Sequence, residues 1–188
     1  MINLHSNYAL KISGKDSYKF IDSLISNKIE NEKFKGSYLL KPDGKIDYWF
    51  LTTLKNEDIL ILQQKEELLK IKNSLEKYKI RIICELEIIK ENYVLNVSNQ
   101  NDKLIIEKLD KPFQEENWNE VCLKLALPTS EIILNGLMPN EVNMLDSLVD
   151  YYKGCFLGQE QTSRVKFRGK PRRILKTNDS NIQEIVKI

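Results

Sequence analysis

The tripeptide Pro42-Asp43-Gly44 lies between two apolar segments, and no other short stretch of the sequence limits the fold as strongly. Proline presets the backbone φ angle at the first turn position, and glycine accepts the positive φ that a tight turn requires. We therefore predict a strand, a turn and a second strand over residues 36–51. Because a hairpin pairs its strands antiparallel, we expect a mostly antiparallel sheet.

Alternating apolar residues predict further strands, and apolar residues at helical spacing predict helices between them. The predicted strands lie at 7–13, 58–64, 79–88, 92–98 and 103–109, and the predicted helices lie at about 15–27, 65–78, 115–126 and 143–152. Strands followed by a helix, twice, with hairpin turns between them, indicate an α+β fold. The final segment, 176–188, is open to two interpretations: a tail or a docked strand.

Composition places the chain among soluble globular proteins, with 30% charged and 41% hydrophobic residues in a length of 188. We expect no membrane span and no membrane partner, because no apolar run reaches about 18 residues. The N-terminus lacks the features of a secretory signal. Three cysteines without regular spacing do not indicate a disulfide framework. We therefore expect a cytoplasmic location, where thiols stay reduced.

Several kinds of catalytic site are excluded by the residues that the sequence lacks. His5 is the single histidine, so histidine-dependent nucleophilic sites and common zinc sites are not expected. The glycine-rich loops of ordinary nucleotide-binding domains are absent. Cys84 and Cys122 are in phase with apolar faces and are predicted to be core residues. Cys155 is then the remaining cysteine for chemistry, and we expect no metal held by this chain alone.

Positive charge is concentrated in residues 164–176, which we call the basic strip. It contains seven basic residues and no acidic one, and subtracting those seven from the net charge of +2 leaves −5 for the remainder. A strip of this kind attracts polyanions, so a nucleic-acid-binding module is one alternative function. A solvated surface face is the plainer interpretation. Phe167 is the one aromatic residue within the strip, which weakens the nucleic-acid interpretation.

Residues 153–160, which we call the signature segment, read Lys-Gly-Cys-Phe-Leu-Gly-Gln-Glu and are followed by Thr162-Ser163-Arg164. This pattern resembles the signature KGC(Y/F)xGQExxxR of the YgfZ-type folate-binding proteins, relatives of the glycine-cleavage T-protein, an aminomethyltransferase. Residues 10–29, 39–46 and 137–146 are also similar to conserved parts of that family. The resemblance covers about residues 8–175.

The resemblance implies an α+β fold of two ferredoxin-like halves around a central folate pocket. The halves would be residues 1–90 and 91–175, followed by a short tail, 176–188, in place of the C-terminal β-barrel of the family. It also implies tetrahydrofolate as the cofactor and a function as an accessory protein in the assembly or repair of iron–sulfur proteins, including tRNA-modifying enzymes. The partners would then be iron–sulfur client or assembly proteins.

One departure bears on enzymatic activity. The T-protein uses the second aspartate of a Gly-x-x-Asp-Asp pattern to act on the folate amine, and Tyr48 occupies that position here, after Gly44 and Asp47. Asp47 alternates with Tyr48 along a strand, so we expect it to point the other way. A folate-dependent one-carbon transferase therefore remains the alternative function rather than the preferred one.

For the pterin ring, we predict a carboxylate, an orienting amide and an aromatic wall. The Glu141 carboxylate would accept hydrogen bonds from the pterin amino group and ring N–H, and Asn143 would orient it. Tyr48, Trp49 or Phe50 would supply the wall. Structural interpretations stay open: Glu141 as a capping or surface acid, and the aromatic residues as part of the core.

For the rest of the ligand, cationic side chains would bind the anionic glutamate tail. Arg164, Lys166 and Arg168 are the candidates for its carboxylates. Lys153 is a further folate-binding candidate and, with the basic strip, would favour the thiolate of Cys155. Alternatively, Lys153 is a charge at a helix end.

Within the signature segment, two glycines would let the backbone pass close to a flat ligand. The motif residues are Lys153, Gly154, Cys155, Gly158, Gln159 and Glu160. Cys155 would be held at the mouth of the pocket in a redox or accessory role, or it is a structural residue of the turn.

Overall fold

The computed structural model describes residues 2–109 and 117–188. Its centre is a six-stranded sheet in the order β2-β3-β4-β1-β5-β6, in which all neighbouring strands pair antiparallel. The strands are β1 (Ile2–Ser13), β2 (Lys35–Leu40), β3 (Ile46–Lys55), β4 (Asp58–Leu62), β5 (Glu85–Gln100) and β6 (Lys103–Lys108). The predicted antiparallel α+β fold is thereby confirmed.

Short helices and one small hairpin surround this sheet in the described residues. The helices are α1 (Ser17–Asp22), α2 (Lys65–Glu76), α3 (Trp118–Leu125), α4 (Ser130–Ile133), α5 (Leu145–Leu148) and α6 (Gln159–Arg168), with a 3₁₀ turn at Pro139–Glu141. Strands β7 (Arg173–Thr177) and β8 (Gln183–Lys187) pair as a separate antiparallel hairpin. Within residues 176–188, Ile185 of β8 packs partly buried against the core, and Gln183 Nε2 donates to the Leu127 carbonyl at 2.7 Å, so β8 lies against the rest of the protein as a strand.

The sheet has a hydrophobic core on each face because its strands alternate apolar side chains. In β4, Ile59 and Ile61 enter one cluster, while Leu60 and Leu62 enter the other. The first cluster contains the apolar residues of α1 and α2, and the second contains those of α3, α4 and α5. Each fully buried aliphatic side chain contributes about 1.5–3 kcal/mol, so the two layers stabilise the sheet from both sides.

The sheet curls until its two edge strands approach the same short helix. A Cβ atom added at Gly36 of β2 would lie 2.4 Å from Leu148 Cδ2 and 2.9 Å from Leu104 Cδ2 of β6. The backbone N–H of Leu104 donates to Ser147 Oγ at 3.0 Å. Helix α5 therefore lies between β2 and β6, and a methyl group at Gly36 would require the side chains of Leu148 and Leu104 to shift.

The predicted hairpin is confirmed, and its turn has the expected geometry. The N–H of Lys41 donates to the Lys45 carbonyl at 2.8 Å, and Gly44 has a φ of 82°. Helix α2 is confirmed too, with Leu68, Ile71 and Leu75 fully buried.

Other element boundaries differ from the prediction. Strand β5 begins only at Glu85 and continues to Gln100, so it joins two predicted strands, and the predicted domain boundary at 90/91 falls inside it. Helix α1 ends at Asp22 rather than 27, because the next residues bond to β2 instead: the N–H of Ser26 donates to the Tyr38 carbonyl at 2.9 Å.

Two predicted helices are shorter than expected. The helix predicted at 115–126 is α3, which begins after a capping box formed by Asn117 and Glu120; residues 115 and 116 lie outside the described residues. The helix predicted at 143–152 is α5, a single turn. The division into two ferredoxin-like halves stays a prediction.

Candidate functional site

The signature segment is fixed to the end of α1 by a buried lysine. Lys153 Nζ donates to the carbonyls of Asp22 (2.8 Å), Ile25 (3.1 Å) and Asn27 (3.0 Å), and lies 2.8 Å from Asp22 Oδ1. Its side chain is 2% exposed. Burial lowers the pKa of Lys153, while Asp22 acts in the opposite direction. All four neighbours are protein oxygens, and one is the carbonyl of the last residue of α1, so this ammonium holds the loop 22–27 in place and lies at the C-terminal end of that helix.

The same loop is also tied to α5. Ser26 Oγ donates to the Leu148 carbonyl at 2.6 Å, and Asn27 Nδ2 donates to the carbonyls of Gly36 (2.9 Å) and Ser147 (2.8 Å). Both side chains are buried, so each of these hydrogen bonds satisfies groups that cannot reach water. The loop after α1, the edge of β2, α5 and the signature segment therefore form one packed unit.

Gly158 packs closely against the protein's own hairpin turn. It has a φ of 75°, and a Cβ atom there would lie 2.5 Å from the Lys41 carbonyl oxygen and 2.9 Å from Leu40 Cβ. Gly44 in the turn has the matching restriction, since its Cβ would lie 2.7 Å from Gln161 Cβ. Gly154 differs, because nothing lies within 4 Å of its Cβ position. The close approach at Gly158 thus joins two parts of the protein rather than the protein and a ligand.

The remaining polar residues of the motif stabilise the start of α6. Gln159 Oε1 accepts from the Phe156 N–H at 3.2 Å. Glu160 and Arg164 form an exposed ion pair one turn apart, with 3.0 Å between Oε1 and Nη2. Arg164 is therefore already paired on the outer face of α6.

Cys155 is the exposed cysteine of the three, and Cys84 and Cys122 are buried as predicted. Burial raises the pKa of the Cys122 thiol to about 12 and also raises that of Cys84. The expected help from Lys153 in forming a Cys155 thiolate has no basis in the geometry, because that ammonium points into the carbonyls of the loop 22–27. Cys155 lies on the surface immediately before the buried Phe156.

Glu141 is held by a bidentate ion pair. Arg173 Nε lies 2.8 Å from Oε1 and Nη2 lies 3.0 Å from Oε2, while the Met138 N–H donates to Oε2 at 2.9 Å. The Glu141 side chain is 8% exposed. It therefore caps its own 3₁₀ turn, as the structural interpretation predicts, and it anchors the β7–β8 hairpin.

An open cavity of about 680 Å³ lies beside this pair, between the 3₁₀ turn, α6 and the β7–β8 hairpin. We call it the Glu141 cavity. Its lining residues are Met138, Asn140, Glu141, Val165, Lys170, Pro171, Arg172, Arg173, Lys187 and Ile188. Half of these residues are charged and most of the others are apolar, and the volume falls in the usual range of small-molecule sites.

Three buried polar atoms form no hydrogen bond of normal geometry among the described residues, and one of them belongs to Asn140, which lines this cavity. They are the hydroxyls of Tyr38 and Tyr151 and the amide oxygen of Asn140. Burial raises the pKa of Tyr151 to about 12, and the nearby side chains of Thr162 and Asn140 oppose that shift. Burial, followed by the effect of Tyr151, raises the pKa of Tyr38 well above its usual value. Because a buried polar atom without a partner is costly, the Asn140 amide oxygen marks a candidate ligand contact at this cavity.

The predicted aromatic wall lies elsewhere. Trp49 and Phe50 are core residues, and Trp49 packs edge-on against Trp118 with 5.5 Å between ring centroids. Tyr48 lines a separate cavity of about 230 Å³ next to α2 and α4. Burial is the main cause of a raised pKa at Tyr48.

Asp47 lines this same smaller cavity, 3.7 Å from Lys41 Nζ, although strand alternation predicts that it points away from Tyr48. The pairing of β2 with β3 shifts register between Leu39 and Leu40, so regular alternation is interrupted at this point. The structure thus brings Asp47 and Tyr48 together and keeps both apart from the cavity that Glu141 lines.

Sequence reasoning placed Glu141 among the site residues but missed Arg173, Asn140, Tyr38 and Tyr151. Asn143, expected to orient Glu141, is exposed. Arg173 belongs to the basic strip, and nothing in the sequence around it indicates that it pairs with Glu141, 32 residues earlier. Asn140 precedes Glu141 directly, and that adjacency is the one signal that points to it.

The described residues hold no group of three or more His, Cys, Asp or Glu side chains arranged to bind a metal ion. None of the helices in the described part of the chain has the length and apolar character needed to cross a bilayer.

Comparison with known proteins gives distant similarities. No protein-family model matches the chain. It is 22% identical to an uncharacterized protein of Haemophilus influenzae over 199 aligned residues, which cover 93% of this chain and 71% of that protein. It is similar to the crystal structure of the glycine cleavage system aminomethyltransferase T from Bartonella henselae, with 13% identity and a TM-score of 0.44.

That structural match covers 69% of this chain, and the chain spans about one third (33%) of the length of the Bartonella protein. Identities at this level do not establish membership of a family. The relation to the YgfZ-type proteins stays a prediction that rests on the signature segment.

Proposed function

We propose that this protein binds tetrahydrofolate in the Glu141 cavity and acts as an accessory protein in the assembly or repair of iron–sulfur proteins, including tRNA-modifying enzymes. The observation that carries the proposal is the Glu141 carboxylate in the wall of a cavity of about 680 Å³ that Asn140 also lines. A pterin presents an amino group and a ring N–H side by side. Two neighbouring acceptors suit that edge.

Binding through both oxygens of Glu141 would require Arg173 to move. A carboxylate offers about four lone-pair sites, and three hydrogen bonds from Arg173 and Met138 already use three of them. One acceptor site is left on Oε1. In the proposal, the pterin either takes that site together with the Asn140 oxygen, or it displaces the guanidinium towards the anionic tail of the ligand.

An accessory function suits these residues better than a one-carbon transferase. A transferase of the T-protein type would need a carboxylate near the reacting folate nitrogen, and Glu141 supplies the one acidic side chain among the described lining residues of the cavity. That carboxylate is occupied by Arg173. Asp47 and Tyr48 line the other cavity. The exposed Cys155 is proposed to meet a client or assembly protein in the cytoplasm.

Anaerobic calorimetry with tetrahydrofolate tests the binding step. We expect saturable binding by the wild type and a loss of at least tenfold in affinity for Glu141→Gln, measured after its folding has been checked by circular dichroism. Asp47→Asn is the matched control, since it removes a carboxylate from the smaller cavity and should bind as the wild type does. Equal binding by Glu141→Gln and the wild type would place the folate elsewhere, and no binding at all would overturn the proposal.

The accessory role requires a separate test in cells that lack this protein. We expect reduced activity of a [4Fe–4S] tRNA-modifying enzyme, restored by the wild-type chain and by Asp47→Asn. Cys155→Ser should fail to restore it while still binding folate in vitro. Full restoration by Cys155→Ser would remove the thiol from the proposed role.

A further inference from the structure

The Glu141 cavity has an excess of positive side chains that the pterin does not explain. Four cationic side chains, Lys170, Arg172, Arg173 and Lys187, line it against the single acidic side chain of Glu141. Arg173 is paired with Glu141, whereas Lys170, Arg172 and Lys187 form no ion pair with any described residue. Three exposed cations around one cavity give it a positive potential, which attracts an anionic ligand.

The fold places Lys170, Arg172 and Lys187 around the same cavity. In the β7–β8 hairpin, Lys187 is the antiparallel partner of Arg173. The N–H of Ile188 donates to the Arg172 carbonyl at 3.1 Å, which holds the end of the chain beside residue 172. Lys170 follows the end of α6 by two residues. Lys187 therefore comes from β8, and Lys170 and Arg172 come from the connection between α6 and β7.

The cations first predicted to bind the tail of the ligand are occupied or distant from this cavity. Arg164 pairs with Glu160, and Lys166 pairs with Asp146. Arg168 lines a different surface depression, together with Arg164. The candidates for binding an anion are therefore the cations that line the cavity, and not those on the exposed face of α6.

We infer that the Glu141 cavity selects folates that carry an oligo-γ-glutamate tail, with Lys170, Arg172 and Lys187 binding successive tail carboxylates. The inference rests on the proposed folate function. Each added γ-glutamyl unit brings one more carboxylate, and a row of cations along one wall suits a chain of such groups.

A single-stranded RNA is the other polyanion to weigh, and the lining disfavours it. Binding of single strands combines cations with exposed aromatic rings on which bases stack. None of the described lining residues of the Glu141 cavity is aromatic, and the exposed Phe167 and Tyr152 lie along another groove, beside β6.

Calorimetry with tetrahydrofolate carrying one, three or five glutamates tests the inference on the full chain. We expect the five-glutamate form to bind about tenfold more tightly than the one-glutamate form, with a difference that shrinks at high salt. The triple variant Lys170→Ala/Arg172→Ala/Lys187→Ala should bind all three forms with the affinity of the one-glutamate form. The variant Arg164→Ala/Lys166→Ala/Arg168→Ala, which removes the same charge from the outer face of α6, should keep the preference.

The outcomes separate the two proposals. Equal affinity for all tail lengths would overturn the inference and leave the folate function standing. No binding of any folate would overturn both. A preference lost in the outer-face variant but kept in the triple variant would overturn the assignment of these cations. Tighter binding of an oligouridylate than of the five-glutamate folate would identify RNA as the anion and overturn the inference.

Discussion

The guanidinium of Arg173 spans both carboxylate oxygens of Glu141, with Nε 2.8 Å from Oε1 and Nη2 3.0 Å from Oε2. Arg173 Nη2 also donates to the Gly136 carbonyl at 3.2 Å. One side chain therefore connects the first residue of β7 to both ends of the segment that contains the 3₁₀ turn. The pair is the principal polar link between the β7–β8 hairpin and the cavity wall that we propose to bind folate.

The single variant Arg173→Ala should destabilise the protein more than the double variant Glu141→Gln/Arg173→Ala. Arg173→Ala leaves the Glu141 carboxylate buried without its counter-charge, and we expect a loss of about 1–3 kcal/mol in the free energy of unfolding. The lower part of that range applies if water reaches the carboxylate, since Arg173 itself is 37% exposed. Glu141→Gln/Arg173→Ala should recover part of the loss. Urea unfolding of the wild type, both single variants and the double variant measures the coupling; additive effects would show that the pair contributes nothing.

Lys153 should be essential for the packing of the signature segment. Lys153→Met keeps the length of the side chain but removes the hydrogen bonds to the carbonyls of Asp22, Ile25 and Asn27. It also leaves the Asp22 carboxylate without its ion-pair partner. We expect a loss of roughly 3–5 kcal/mol, the usual effect of breaking a buried ion pair. Lys166→Met is the control, because its pair with Asp146 lies near the surface and should contribute at most about 1 kcal/mol. A similar stability for the two variants in thermal unfolding would contradict this role for Lys153.

Local signals in the sequence predicted the parts of the fold that depend on local physics. Pro42-Asp43-Gly44 determines a turn by its own backbone preferences, and the hairpin was predicted correctly. Cys84 and Cys122 were assigned to the core from helical or strand phase alone, and both are buried. Strand β5 was divided in two because polar residues interrupt its middle, where the chain nevertheless continues to pair with β1.

The site depends on contacts between distant residues, and a single sequence gives no signal for those. Lys153 bonds to carbonyls about 126–131 residues earlier, and Arg173 bonds to a carboxylate 32 residues earlier. In the sequence, Lys153 was a folate-binding candidate or a helix-end charge, and Arg173 was one residue of the basic strip. From the sequence, Gly158 was predicted to let a ligand approach the backbone closely. In the structure, the carbonyl of Lys41 packs against it instead. For Lys153 and Gly158, sequence reasoning predicted contacts with a ligand, and the structure shows contacts with other parts of the chain.

The two glycines of the signature segment should respond differently to the same substitution. Gly158→Ala forces a Cβ atom to 2.5 Å from the Lys41 carbonyl oxygen at a φ of 75°, and we expect a loss of more than about 2 kcal/mol in stability. Gly154→Ala meets no atom within 4 Å and should change stability by less than about 0.5 kcal/mol. Denaturant midpoints of the two variants measure the difference. A tolerated Gly158→Ala would mean that the hairpin turn and the signature segment do not pack as described.

The three thiols should differ in their reaction with a disulfide reagent at pH 8. Cys155 is exposed, whereas Cys84 and Cys122 are buried, so we expect one equivalent to react at once and two more only after denaturation. Cys155→Ser should abolish the fast equivalent, while Cys84→Ser should leave it unchanged. A fast equivalent that persists in Cys155→Ser would show that a buried thiol becomes accessible by local opening.

Alkaline pH should destabilise the protein through Cys122. Burial raises the pKa of its thiol from about 9 when unfolded to about 12 when folded. Between these values the folded state keeps a proton that the unfolded state releases, so the free energy of unfolding falls as pH rises, by at most about 1.4 kcal/mol per pH unit from this one group. Tyr93 and Tyr151, whose pKa values are raised from 10 to about 12, act in the same direction only above pH 10. Urea unfolding at pH 8, 9 and 10 should therefore show that the free energy of unfolding falls less steeply with pH for Cys122→Ala than for the wild type. The cavity left by the substitution lowers stability equally at all three pH values and does not change this slope. Parallel declines in the two proteins would mean that the Cys122 thiol ionises in the folded state as readily as in the unfolded chain.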